Sequence, residues 1–150
     1  MEFISAVIKY KKYAANSDSS WRIQFYDFVF MQKVNLAEKF ALINEHWRPK
    51  VVGELNGQEV KLVKFQGAFP WHHHEREDEM FMALRGKFRI EFRDKTVELN
   101  EGEFVIVPRG VEHRPVAETE VEVLLFEPKN VLNTGNLEDA NFTAPIGDKI

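Results

Sequence analysis

Short segments of alternating apolar and polar residues, separated by turn residues, fill the chain from residue 50 to about residue 126. In the segment KFRIEFR, residues 87–93, the alternation is strict, which predicts a strand with Phe88, Ile90 and Phe92 facing the core. The pair Asn56-Gly57 is the strongest hairpin signal in the chain. Strands of this length and spacing are typical of a β-barrel or β-sandwich. The predicted strands are 50–55, 59–65, 79–84, 87–93, 96–99, 104–107, 111–117 and 120–126.

One helix is predicted before the strands. Asn35 is a suitable N-cap, and Glu38 lies three residues further on, as in a capping box. Apolar residues then recur at helical spacing. The pattern predicts a short amphipathic helix from Asn35 to about Glu45, which ends before Pro49.

The two ends of the chain differ from this β pattern. Residues 1–30 join the polar segment NSDSS to the aromatic segment WRIQFYDFVF. They are either an accident of gene-start choice or an added element, and the aromatic density favours a packed segment around 21–30, on the barrel or across a dimer contact. The turn-rich residues 129–150 are expected to run along the surface with a mobile end. We therefore divide the chain into an extension (1–30), a helical lead-in (31–49), a barrel (50–128) and a C-terminal tail (129–150).

Composition narrows the class of protein. A chain of 150 residues with 44% hydrophobic residues and 13 Phe is long enough for one domain with one core. The net charge of −4 and pI of about 5.8 argue against nucleic acid or an anionic membrane as partner. No apolar run approaches the roughly 20 residues that span a bilayer, and the N-terminus lacks the order of a secretory signal. We expect a cytoplasmic protein.

The candidate chemistry lies in the segment GAFPWHHHEREDEMFMALRG, residues 67–86. If this segment is extended, His72 and His74 point to one face, roughly 6–7 Å apart, and His73 points to the other. Two imidazoles at that separation can bind one metal ion. Glu79 opens the following strand and can bring a carboxylate to the same point.

A fourth candidate ligand, His113, follows a turn at Pro108 and Gly110 and is expected near the start of a strand. The chain has no cysteine, so a metal must be held by nitrogen and oxygen atoms. Three imidazoles and one carboxylate suit one divalent transition metal, which can be Mn, Fe, Co, Ni, Cu or Zn.

These residues resemble the two motifs of the cupin superfamily. The chain reads Gly67-x4-His72-x-His74-x4-Glu79-x6-Gly86 and then Gly102-x5-Pro108-x-Gly110-x2-His113. It departs from the motifs by one residue fewer after the first glycine and by Ala117 in place of the closing asparagine. The resemblance implies an all-β fold, the double-stranded β-helix or jelly-roll barrel, here with one short N-terminal helix. It also implies one metal inside the barrel, bound by His72, His74, Glu79 and His113.

Other polar residues near the motifs are expected to have no direct role. We assign outward or solvated positions to His46, His73 and the acidic residues of the turn, Glu75, Glu77 and Asp78. The parity of the strand directs Glu112 and Arg114 away from the face of His113. Aromatic candidates to line or back the barrel mouth are Phe69, Trp71, Phe81 and Phe104.

Three functions fit these residues. The first is a small metal-dependent enzyme, an oxidoreductase or isomerase of the cupin type, acting on a small oxygen-rich organic molecule, with oxidative, dioxygenase-like cleavage as the favoured reaction. Its catalytic residues beyond the metal ligands are not identified. The second is a non-enzymatic module that uses the metal to bind a small ligand, and the third is metal-free recognition of a carbohydrate or carboxylate. Strands that are apolar on both faces, together with Phe25, Phe28 and Phe30, predict a homodimer.

Overall fold

The computed structural model describes residues 33–150, so the predicted extension 1–30 and its aromatic segment lie outside the described part. The described residues form one short helix and seven strands in an antiparallel arrangement. Their bounds are α1 Leu36–Phe40, β1 Lys50–Leu55, β2 Gln58–Ala68, β3 Glu79–Arg85, β4 Phe88–Phe92, β5 Thr96–Leu99, β6 Phe104–Val107 and β7 His113–Pro128. The all-β jelly-roll fold with one short helix is confirmed.

Helix α1 begins where the sequence predicts and ends earlier. The Asn35 side chain accepts from the backbone amides of Ala37 and Glu38, as an N-cap does. The helix has five residues rather than about ten, because the chain turns after Ala41 to bring Trp47 to the barrel. There the Trp47 indole donates to the backbone carbonyl of Gln66 at 3.0 Å.

The hairpin between β1 and β2 turns at Asn56 and Gly57. Their φ angles of 52° and 78° place both residues in the left-handed region that a two-residue type I′ turn requires. The turn predicted from the Asn-Gly pair is thus confirmed. It sets the register of β1 against β2.

Strand β7 is the centre of the fold. The two strands predicted at 111–117 and 120–126 are one strand of 16 residues, which corrects that prediction. The prediction leaves residues 118–119 between two strands, but the strand continues through the exposed residues 118–120, with a register shift against β2 between Phe65 and Gly67. Because of its length, β7 pairs with β2, β3 and β4.

The core fills the space between the inward faces of these strands. Phe88 and Ile90 are buried, and Phe92 is partly buried against them, as the alternation in β4 predicts. Trp47 stacks on Phe65 with ring centroids 4.4 Å apart. A smaller cluster on the outer face of β2 packs helix α1 against Leu62.

The C-terminal tail runs along the barrel surface and is hydrogen-bonded to the barrel, while the mobility of its end stays a prediction. Thr134 and Ala144 are buried. The Val51 amide donates to the Asp148 carbonyl, and the Ile150 amide donates to the Val51 carbonyl. Within residues 33–150, no helix is long and apolar enough to cross a membrane.

Candidate metal centre

Three segments of the fold bring the four candidate ligands together. His72 and His74 follow β2, Glu79 is the first residue of β3, and His113 is the first residue of β7. A short antiparallel bridge joins His72 to His113, with reciprocal backbone hydrogen bonds of 3.0 and 2.9 Å. The two motifs, far apart in the sequence, are therefore in direct backbone contact.

The four side chains form one compact, buried cluster. A nitrogen or oxygen atom from each of the four lies within 4.8 Å of the others. Glu79 Oε2 is 3.2 Å from His74 Nε2 and 3.6 Å from His113 Nε2. All four residues are at most 4% exposed. The structure thus places together the four residues that the sequence predicts, and metal binding by them remains a prediction.

Backbone carbonyls orient two of the imidazoles. His72 Nδ1 lies 3.1 Å from the Pro70 carbonyl, and His113 Nδ1 lies 2.9 Å from the Val111 carbonyl. A carbonyl can only accept, so each Nδ1 carries the proton and, in the neutral ring, Nε2 keeps a free lone pair. Such partners are those that metal-ligating histidines commonly have.

Three atoms of this cluster are buried without a hydrogen-bond partner among the described residues: His74 Nε2, His113 Nε2 and Glu79 Oε2. Their short contacts with one another are not aligned as hydrogen bonds. Buried polar atoms without a partner are rare because desolvation is unfavourable. The three atoms all face one another, and their chemistry is that of transition-metal ligands. The residues present therefore fit a metal ion.

The electrostatics also favour a cation. Burial, followed by the charge of His113, lowers the pKa of His72 to about 3, so its ring is neutral at pH 7. Burial raises the pKa of Glu79, but contacts with His113 and His74 outweigh it and lower the pKa to about 2. Burial lowers the pKa of His74, but the contact with Glu79 outweighs it and raises the pKa. The buried carboxylate of Glu79 and the neutral ring of His72 are therefore suited to a bound cation.

A cavity of about 20 Å³ adjoins the cluster. This is room for about one water molecule or a diatomic molecule. Its polar lining consists of His72, Glu79 and Asn133, and the rest is apolar and largely aromatic. The Asn133 amide is already committed, since Nδ2 donates to the Trp47 and Phe142 carbonyls and Oδ1 accepts from the Ala144 amide.

A second buried charged cluster, which sequence reasoning missed, lies beside the first. Lys61 Nζ is 2.9 Å from Glu127 Oε1 and 3.1 Å from Glu59 Oε2, and all three residues are at most 5% exposed. Burial and the charge of Glu79 raise the pKa of Glu127 to about 7. The available signal was the alternation, which places all three on the inward faces of β2 and β7.

The predicted aromatic lining is correct at two of four positions. Phe69 contacts the His72 ring edge-on at 5.1 Å, and Phe81 lies 5.8 Å from the His113 ring. Trp71 is half-buried beneath the guanidinium groups of Arg93 and Arg114. Phe104 was wrongly assigned, because it lies on the outer face of β6 and is 59% exposed.

The residues expected to have no direct role lie outside the cluster. His73 pairs with Glu75 at 2.7 Å, and His46 pairs with Glu120 at 2.9 Å. Glu112 and Arg114 are engaged by groups outside the metal cluster: the carboxylate of Glu112 accepts from Arg93, and Arg114 donates to Glu91.

Comparisons with known proteins agree with the fold and the motifs. A family model described as Cupin_2, a cupin domain, matches residues 59–127. A cupin-2 domain protein from Shewanella frigidimarina is 43% identical, with 64% of this chain and 94% of that chain covered and a TM-score of 0.63. Protein NMB1881 from Neisseria meningitidis is 32% identical, with 65% and 100% covered and a TM-score of 0.61.

A further similar protein does not indicate an activity. The uncharacterized protein YdbB of Bacillus subtilis is 39% identical over 64 residues, which are 42% of this chain and 57% of that protein. The match thus spans little more than half of the relative's length. The motifs, the barrel and the two similar structures together lead to one conclusion: the chain belongs to the cupin superfamily.

Proposed function

We propose that this cupin binds one divalent transition metal through His72, His74, Glu79 and His113, and uses it to bind and transform a small oxygen-rich organic molecule. The observation that supports this most is the set of three buried atoms without partners, contributed by two imidazoles and one carboxylate that face one another. Their identity favours Mn, Fe, Co, Ni, Cu or Zn over Mg or Ca.

A metal held by these four residues would supply Lewis acidity or, if redox-active, electron transfer. The chain supplies a dry surrounding, because the cavity wall next to the ligands is formed mainly by aromatic and aliphatic side chains. Polar contacts to a small metal-bound group gain strength in such a surrounding.

The cavity lining favours an oxidative reaction over a reaction driven by protein acid–base catalysis. Its polar residues are two proposed ligands and Asn133, whose amide is already hydrogen-bonded. None of the three is a separate general base. The same observation supports the alternative, a non-enzymatic module that holds a small ligand on the metal. A cytoplasmic location remains part of this proposal.

The metal assignment is tested by elemental analysis of tag-free protein. We expect about one transition metal per chain in the wild-type protein and a large loss in the His74→Ala variant. His73→Ala is the matched control, since His73 is the neighbouring histidine but pairs with Glu75 outside the cluster. Equal metal content in the two variants would contradict the assignment.

The two functions are separated by screening small carboxylic and hydroxylated molecules against the metal-loaded protein. Thermal shift detects binding, and product analysis under air and under nitrogen detects an oxidative reaction. Binding without any product in either atmosphere would favour the binding module.

We also propose that the chain forms a homodimer through the outer face of β3 and β6. Phe104 and Ile106 on β6 are 59% and 55% exposed, and they pair with Met82 and Met80 on β3. On β7, Leu124 and Phe126 extend the same apolar face. A second copy of the chain would cover this patch, because a two-fold axis places the same patch of both copies face to face.

A further inference from the structure

The C-terminal tail touches the segment that carries two of the candidate ligands. The family model ends at residue 127, before this tail. Two consecutive tail residues, Gly135 and Asn136, lie against His73, the residue between His72 and His74. The tail therefore contacts the ligand segment from outside the barrel strands.

Gly135 makes the closest approach. A Cβ atom added there would lie 2.1 Å from the His73 carbonyl oxygen and 3.3 Å from His74 Nδ1. The first distance is far inside van der Waals contact and involves backbone, so a side chain at this position must displace the ligand segment. The φ of Gly135 is also positive, at 53°.

Asn136 fixes the same peptide from the other direction. Its backbone amide donates to the His73 carbonyl at 3.0 Å, and its Oδ1 accepts from the His73 amide at 2.9 Å. Both backbone polar groups of His73 are thus held by one residue of the tail.

The tail itself is anchored, so it can act as a rigid support. Thr134, with 0% exposure, contacts the Thr143 hydroxyl at 2.9 Å and donates to the Leu137 carbonyl. The Arg48 guanidinium binds the carbonyls of Thr143 and Asn141.

We propose that Gly135 and Asn136 are positioning residues of the metal centre, and that the C-terminal tail holds the His72–His74 segment in the geometry that binds metal. This inference rests on the metal binding proposed above. Neighbours that orient metal ligands typically contribute 10- to 100-fold in metal affinity. A tail that acts only on folding would change stability and leave the affinity of the folded protein unchanged.

The test compares Gly135→Ala with Gly147→Ala in the full chain. Gly147 lies in the same tail with a φ of 70°, and a Cβ there would meet nothing within 4 Å. Both variants carry the backbone strain of a positive φ, but Gly135→Ala alone displaces His73. Co²⁺ is the probe, with affinity measured by competition against a chromophoric chelator and coordination geometry read from the visible absorption bands.

We expect Gly135→Ala to lower the Co²⁺ affinity at least tenfold and to shift the absorption bands. Gly147→Ala should have the affinity and the bands of the wild type. Asn136→Leu should lower the Co²⁺ affinity, whereas Asn136→Asp should bind Co²⁺ like the wild type, since Asp keeps the acceptor oxygen. This pair of variants tests the inference if Gly135→Ala does not fold. Wild-type affinity and bands in folded Gly135→Ala, or in Asn136→Leu, would overturn the inference. If the wild-type protein does not bind Co²⁺, the proposed function itself fails.

Discussion

His74 is the proposed ligand whose pKa Glu79 raises, so its protonation is expected to compete with a metal. Its pKa is raised above the ordinary value of 6.5 by Glu79, whereas that of His72 is lowered to about 3. Metal binding needs the unprotonated ring, so wherever His74 is protonated a metal must displace that proton. Below the pKa of His74, each pH unit therefore weakens binding by up to tenfold, and above it the affinity levels off.

We expect the affinity for Co²⁺ or Zn²⁺ to keep rising as the pH increases above 6.5. Titrations in chelator buffers across that range measure it. His73→Ala should give the same profile as the wild type. A profile that is flat from pH 6.5 upward would show that no proton on His74 competes with the metal.

Lys61 is the only cation in the second buried cluster, and its removal leaves Glu59 and Glu127 facing each other without compensation. Removing one partner of a buried ion pair typically costs about 3–5 kcal/mol. We expect Lys61→Met to lower the free energy of unfolding by about that amount in urea titrations of metal-free protein. Adding Glu127→Gln should recover part of the loss, because it removes one of the two carboxylates.

Lys149→Met is the control for this variant. Lys149 also pairs with a glutamate, Glu54, but at the surface, where solvent screens the pair. The urea midpoint of Lys149→Met should match that of the wild type. Equal urea midpoints for Lys61→Met and the wild type would show that the second buried cluster contributes no net stability.

At the scale of elements, the sequence predicts strands well wherever turn residues bound them. The bounds of β1, β5 and β6 agree with the prediction, because Asn-Gly, Asp-Lys and Pro-x-Gly turns mark their ends. The prediction divides β7 at residues 118–119, where polar residues interrupt the apolar alternation. Residues on both sides of this part pair with β2, and those before it also pair with β4, so tertiary contacts hold the flanking segments extended.

The four candidate ligands were predictable because their types and spacing are local properties of two short segments. The alternation indicates that Lys61 and Glu127 face inward, but their pairing and the approach of Gly135 to His73 depend on contacts distant in the chain and were not predictable. The inward position predicted for Phe104 is wrong for a related reason. Side chains alternate between the two faces of a strand, and the sequence of a fully apolar strand such as β6 does not show which face is inward.

At the scale of the whole molecule, the apolar outer face of β3 and β6 predicts the assembly. Light scattering at micromolar concentration should give the mass of two chains. Phe104→Glu should shift the mass toward one chain, because it buries a charge in the contact. Leu55→Glu, at the hairpin tip and similarly exposed at 49%, should leave the mass unchanged. A single-chain mass for the wild type would contradict the dimer.

Strand β7, residues 113–128, pairs with strands that begin at residues 58, 79 and 88. During synthesis, the ribosome releases these three strands before the strand that joins them, and isolated hairpins are marginally stable in water. The barrel can close only after residue 128 has emerged. Its strand pairings are distant in the chain, so its contact order is high and its folding should take milliseconds to seconds. The interval before β7 arrives is when β2 and β3 expose their edges to other nascent chains, and when a chaperone would be of most use.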